Sequence, residues 1–167
     1  MKDTGTTAAR SANMRAIRST GNTTTERRLA ALLARHGIRG WKSGHSHLGR
    51  PDFVFPSESV AVFVDGCFWH SCPNCGHLPK SNRRYWRTKL ARNVARDGET
   101  TRRLRSEGFL VVRLWECGLR TNAREAVQTI QRALRERLAV REVAALKKFT
   151  ALMSRNAGKH KFEGLDE

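Results

Sequence analysis

The chain has 167 residues and a mass of 18.9 kDa, enough for one domain with a real core and too little for two comfortable ones. Thirty-two Lys and Arg against fifteen Asp and Glu leave a formal net charge of +17 and a pI near 11.2, which points to a polyanionic partner, nucleic acid first. A hydrophobic share of 39% excludes a fully disordered chain, and apolar runs such as Val60 to Val64 are far too short to cross a membrane, so neither a membrane span nor a secretory signal is expected and a cytoplasmic, nucleoid-associated protein is.

In chain order, residues 1–22 are rich in Thr, Ser, Gly, Asn and Arg without periodicity and read as a mobile basic arm of the kind that orders on DNA. Thr23 and Glu26 fit a capping box, and Leu29, Leu32 and Leu33 follow at helical spacing until Gly37, predicting a helix over 24–36. Ile38 to Trp41 reads as a short strand. Asp52 to Phe55 and Val60 to Asp65 read as two strands of a hairpin turning at Pro56 to Ser59. An irregular segment holding three cysteines runs to Asn82. A basic helix is expected from Arg83 to Glu107, with Tyr85, Trp86, Leu90, Val94 and Leu104 as its apolar positions and Gly108 as its C-cap. Phe109 to Trp115 is an apolar strand interrupted only by Arg113. Val127, Ile130, Leu134 and Leu138 mark one further helix, and Val143, Leu146, Phe149 and Leu152 another. The order predicts an α/β fold, a mixed sheet with helices on both faces, as a single domain over 23–155 followed by a polar tail over 156–167.

Charge is unevenly laid out: residues 1–50 carry ten Lys/Arg against two acids, residues 83–105 nine against two, and residues 51–82 one against three. Carboxylates set between basic flanks suggest a place where a cation is held against a phosphate. If the two strands form a hairpin, Asp52 at the start of one and Asp65 at the end of the next lie at the same edge. With the backbone carbonyl of Val64 they could hold Mg²⁺, although Pro-Asp and Asp-Gly pairs are also plain turn signals. His70, five residues past Asp65, is a candidate general acid or base beside them.

Cys67, Cys72 and Cys75 fall within nine residues, and Cys117 follows after 41 more. Four thiolates satisfy tetrahedral zinc with no position left for substrate, so the site they predict is structural; four buried free cysteines are the alternative, and His70 or His77 could each replace one thiol. Phe68, Trp69 and Trp86 either cover that metal or stack on bases, and Met14 in the arm could insert from the opposite groove.

The strings Arg10-Ser11-Ala12-Asn13-Met14-Arg15-Ala16-Ile17, Gly49-Arg50-Pro51-Asp52-Phe53, Gly66-Cys67-Phe68-Trp69-His70, Arg92-Asn93-Val94-Ala95-Arg96-Asp97 and Trp115-Glu116-Cys117 closely resemble the very-short-patch repair (Vsr) DNA mismatch endonucleases. The resemblance implies a restriction-endonuclease-like fold of the PD-(D/E)xK type, a structural Zn²⁺, and Mg²⁺-dependent nicking of one strand 5′ to the thymine of a T·G mismatch. On that pattern Asp52 is the metal-binding aspartate, His70 the catalytic histidine and Glu26 an acid near the metal. Phe68, Trp69 and Trp86 form an aromatic wedge, with Met14 inserted from the minor groove and Lys89 and Asn93 also on the DNA side. A monomer acting on double-stranded DNA, with other repair proteins as partners, is expected.

Two departures stand out. Asp65 occupies the place of a second catalytic histidine, as metal ligand or as general base. Cys72 replaces a histidine ligand with Cys75 one position later, giving an all-cysteine site. The competing readings are a sequence-specific nickase that needs no mismatch and a zinc-stabilised DNA-binding module without catalysis.

Overall fold

The structure, a computed structural model, describes residues 25–42, 44 and 46–159. Phe53–Phe55 (β1) and Val60–Asp65 (β2) form the expected hairpin, with Phe53 opposite Val62 and Phe55 opposite Val60. β2 then pairs in parallel with Leu110–Trp115 (β3), so it is the central strand of a β1-β2-β3 sheet. A parallel neighbour requires a crossover, and the segment between β2 and β3 supplies it: the cysteine loop followed by a helix over Arg83–Ser106. The remaining helices are Glu26–Arg35 (α1), Glu116–Thr121 (α3) and Ala123–Lys159 (α4), the crossover helix being α2.

Strand periodicity assigns each side chain a face. Val60, Val62, Val112 and Leu114 pack with Phe53 and Phe55 against Leu29 and Leu33 of α1, Leu119 of α3 and Val127 and Ile130 of α4. Ala61, Phe63 and Val111 point the other way, against Leu104 of α2. Two residues further along that same parity come Asp65 on β2 and Arg113 on β3. Both therefore face α2, which is the fact that builds the site.

α2 ends as the sequence predicts. Gly108 has φ +88°, and the N–H groups of Gly108 and Phe109 bond to the carbonyls of Arg105 and Leu104, both at 3.0 Å; a glycine accommodates this left-handed turn without a Cβ clash.

Several expectations are revised. Ile38 to Trp41 is not a strand; its place is taken by a single bridge between Lys42 and Val54, each N–H bonding the other's carbonyl at 2.8 Å. The expected helix over 24–36 is observed over Glu26–Arg35, and Thr23 of the capping box, like Met14 and the arm, lies outside the described residues. Tyr85 and Val94 are exposed, because the inward stripe of α2 passes through polar residues instead. α3 has no counterpart among the expected elements; Gly118 in its middle masks so short a helix.

The two C-terminal helices are one. Nothing between Leu138 and Val143 breaks a helix, and the apparent gap arises because the apolar stripe changes face. Up to Ala133 that stripe is buried in the core. Arg137 donates to the carbonyls of Glu58 (2.9 Å) and Gly108 (2.6 Å), and Arg141 to that of Ser57. Beyond this clamp Val143, Leu146, Phe149 and Leu152 are exposed.

Candidate active site and metal centre

The first turn of α1 and the start of β1 bring two carboxyls together. Glu26 and Asp52 share a side-chain hydrogen bond, and the backbone N–H of Val64 donates to Asp52 Oδ2 at 2.6 Å. Burial is the main reason that Asp52 is pushed up to about 7. The Val64 bond opposes that shift, while the hydrogen bond and charge of Glu26 and the charge of Asp65 add to it. Two neighbouring carboxyls, one of them buried and held against ionisation, offer the oxygen ligands that a hard divalent cation takes.

The next cluster is held by the parity of β2 and β3. Asp65, only 4% exposed, accepts two hydrogen bonds from Arg113, from Nε to Oδ2 and from Nη2 to Oδ1, both at 2.6 Å. Such fork-to-fork pairing is the strongest geometry available to the two groups. Arg113 also reaches Asp97 Oδ1 at 3.3 Å and lies over the Phe63 ring, 4.7 Å from its centroid. Burial works against its charge, but Asp65 and Asp97 more than offset that and hold it protonated. Asp97, from α2, accepts the Nδ1 proton of His70 at 2.5 Å, while Asp65 Oδ1 lies 3.7 Å from the same nitrogen. Fixing Nδ1 in this way leaves Nε2 as the ring nitrogen available for chemistry.

The inward stripe of α2 explains how these groups meet. Trp86, Leu90, Asn93, Asp97, Thr101 and Leu104 recur at intervals of three and four and so share one face. Asn93 is buried, and its Nδ2 donates to the Trp69 carbonyl at 3.0 Å. It therefore fastens the aromatic loop from within, with little of its own surface exposed.

The sheet register also assembles the cysteines. Asp65 is paired with Trp115, and Cys67 and Cys117 each follow two residues later. The four sulfurs of Cys67, Cys72, Cys75 and Cys117 lie within 4.8 Å of one another, with Cys72 and Cys117 3.6 Å apart. Tetrahedral coordination with Zn–S of about 2.3 Å needs sulfurs about 3.8 Å apart, so the set can close around one metal ion. Burial raises the Cys72 thiol, yet backbone N–H groups of Asn74 and Cys75 and neighbouring thiols bring it down to about 7, and the N–H of Cys117 bonds Cys67 Sγ at 3.3 Å. Neither His70 nor His77 belongs to the set.

Around this loop Phe68, Trp69 and Trp86 form a half-buried cluster with centroids 5.1 to 6.1 Å apart. Beside it the exposed face of α2 forms a groove that includes Arg83, Arg84, Lys89 and Arg92. The structure thus groups Glu26, Asp52, Asp65 and His70: Glu26 and Asp52 share a hydrogen bond, the charge of Asp65 reaches Asp52, and Asp65 lies 3.7 Å from His70. Sequence reasoning missed Arg113 as a member, although a lone charge in an apolar strand, on the parity of Asp65, is a signal that could have found it. Asp97 was visible only inside a family string.

The family model described as DNA mismatch endonuclease Vsr matches residues 2–75. The chain is 40% identical over 138 residues to the DNA mismatch endonuclease Vsr of Escherichia coli (strain K12), covering 81% of this chain and 87% of that protein. It is 45% identical over 114 residues to the Type II nicking enzyme V.NaeI of Lentzea aerocolonigenes, with coverage of 65% and 68%. Against the Type II nicking enzyme V.NmeAIP of Neisseria meningitidis it is 37% identical over 140 residues, with coverage of 81% and 99%.

Proposed function

We propose, from the premise that the chain belongs to the DNA mismatch endonuclease Vsr family and is a DNA endonuclease, that it nicks one strand of duplex DNA 5′ to the thymine of a T·G mismatch. The observation that carries this reading is the grouping of Glu26 hydrogen-bonded to Asp52, Asp52 within electrostatic reach of Asp65, and Asp65 and Asp97 both on His70 Nδ1. Asp52, with Glu26 and the Val64 carbonyl beside it, is the place for Mg²⁺. When bound, that ion supplies polarisation of the scissile phosphate and stabilisation of the leaving oxygen. His70, its Nδ1 committed to Asp97, takes a proton from the attacking water at Nε2. Asp65, positioned between these groups, is the residue whose role the next section addresses.

Zn²⁺ on Cys67, Cys72, Cys75 and Cys117 holds the loop that presents Phe68, Trp69 and His70. A T·G pair stacks less well than a matched pair, so inserting Phe68, Trp69 and Trp86 beside it costs less unstacking energy, and Met14 is assigned to the opposite groove. Lys89 and its basic neighbours on α2 supply phosphate contacts common to every duplex. The architecture is read as a restriction-endonuclease (PD-(D/E)xK-type) core over 23–155, acting as a monomer on DNA in the cytoplasm, with other repair proteins as partners.

A second reading, nicking at a sequence without a mismatch, is favoured by relatives named as Type II nicking enzymes. Matched and T·G duplexes of identical sequence, incubated with the protein and Mg²⁺, separate the two. The proposal expects nicks in the mismatched duplex alone. Equal nicking of both favours the second reading, and binding of both without cleavage contradicts an active enzyme.

A further inference from the structure

We infer that Arg113 is a positioning residue of the nicking site, which keeps Asp65 out of the cation's coordination sphere and braces Asp97 beneath His70. The inference rests on the proposed nicking reaction for its activity readout but on geometry for its content. Both oxygens of Asp65 accept from one guanidinium at 2.6 Å. A divalent cation on the same carboxylate would stand next to that fixed positive charge, so the Asp65–Arg113 pair and a cation compete for one anion. Among the described residues Asp52 has no guanidinium on it: the groups that act on it are Glu26, the Val64 N–H and the charge of Asp65. The cation therefore goes to the acid pair, and Asp65 serves as the anchor of Arg113.

The rest of the guanidinium spans the gap to α2. Nη2 lies 3.3 Å from Asp97 Oδ1, and Nη1 lies 3.4 Å from the Asp97 carbonyl and 3.5 Å from Thr101 Oγ1. Asp97 is thus held from one side by Arg113 while its other oxygen receives the His70 proton. Without Arg113, two carboxylates would face each other in a half-buried space and repel, and the His70 ring would lose its fixed orientation. Asp65 stands at a position where the family resemblance places a second histidine, and Arg113 is the companion that makes an acid tolerable there.

Two measurements test this. In single-turnover nicking of a T·G duplex, Arg113→Met should lower the rate by about 10- to 100-fold, the usual cost of losing a partner that orients a catalytic group, with the apparent KM for DNA changed less than about threefold. Adding Asp65→Asn to Arg113→Met should recover part of the loss, because the orphaned carboxylate is gone. Arg113→Lys keeps the charge but not the fork and should fall several-fold, which preserves the test if the Met variant fails to fold. Wild-type rates in either Arg113 variant overturn the inference. Independently of cleavage, Mn²⁺ titration followed by electron paramagnetic resonance should show near-normal binding by Asp65→Asn and lost binding by Asp52→Asn. Equal loss in both overturns it. If the wild-type chain cuts no duplex, the nicking proposal fails and the Mn²⁺ titration still decides the role of Asp65.

Discussion

Two polar clusters grow from the same end of β2 and differ in how their ligand atoms are arranged. The four sulfurs after β2 and β3 converge within 4.8 Å of one another, enough to satisfy a tetrahedral metal ion with no position left for a substrate. The carboxyls of Glu26 and Asp52, one strand away, share a single hydrogen bond, and Asp52 is held at about 7 chiefly by burial and by its acidic neighbours. Chemistry belongs at the buried acid whose charge is opposed, and structure where the ligand set is closed.

The largest effect should come from opening the closed site. Cys117→Ser or Cys72→Ser should abolish stoichiometric zinc and cost the fold, since binding and folding are one equilibrium at a structural metal site; metal analysis and circular dichroism would check both. Retention of a cooperative melt near the wild-type temperature without zinc would remove the structural role.

At the open site the outcome is opposite in sign. Asp52→Asn should lower nicking by about 10³-fold or more, the loss of several kcal/mol of charge stabilisation, yet stabilise the metal-free protein. The folded pKa of Asp52 lies above its ordinary value of 3.8. The folded state therefore holds that proton more tightly than the unfolded chain, and this stability is lost as pH rises from about 4 through about 7. Without divalent cations the wild type should melt lower at pH 8 than at pH 6. Asp52→Asn should raise the pH 8 melting temperature by roughly 5 °C, as 1 kcal/mol moves a chain of this size by about 2–4 °C. A melting temperature at pH 8 unchanged by the substitution would show that burial and acidic neighbours do not oppose the Asp52 charge.

Intermediate effects belong to the aromatic loop that joins the two clusters. Trp69→Ala or Trp86→Ala should reduce nicking of T·G duplexes by about 10- to 100-fold, in line with about 1–3 kcal/mol per stacked base, while matched-duplex binding and its salt dependence hardly move. Equal weakening of matched and mismatched binding would make these rings a cover for the metal loop. The smallest effect is expected at Lys89→Ala, which should lower the salt slope of DNA binding by about one without changing mismatch preference.

How much of this was legible in the sequence follows from the range of each interaction. The hairpin, the crossover helix and the Gly108 cap are local, so their residues declare them; the meeting of Asp52 with the end of β2 followed from hairpin geometry alone. Cys117 could be grouped with the other thiols by elimination, although its approach depends on the parallel pairing of Asp65 with Trp115. Arg113 and Asp97 come from β3 and α2, and only the shared parity of 65 and 113 with the inward stripe of α2 brings them to His70. The inward bond of Asn93 was hidden for the same reason: a polar residue on a basic helix looks solvent-facing until the loop carbonyl it holds is known. The single long α4 was divided because its apolar stripe turns away from the core beyond Arg141.

The division between a closed and an open site is tested most directly by dialysing the protein against EDTA, measuring its zinc, and assaying T·G nicking before and after Mg²⁺ is added. One zinc retained per chain, no nicking in its presence alone, and full nicking on adding Mg²⁺ is the predicted result. Nicking by the dialysed protein without added divalent cation, or a folded and active protein free of zinc, would contradict it.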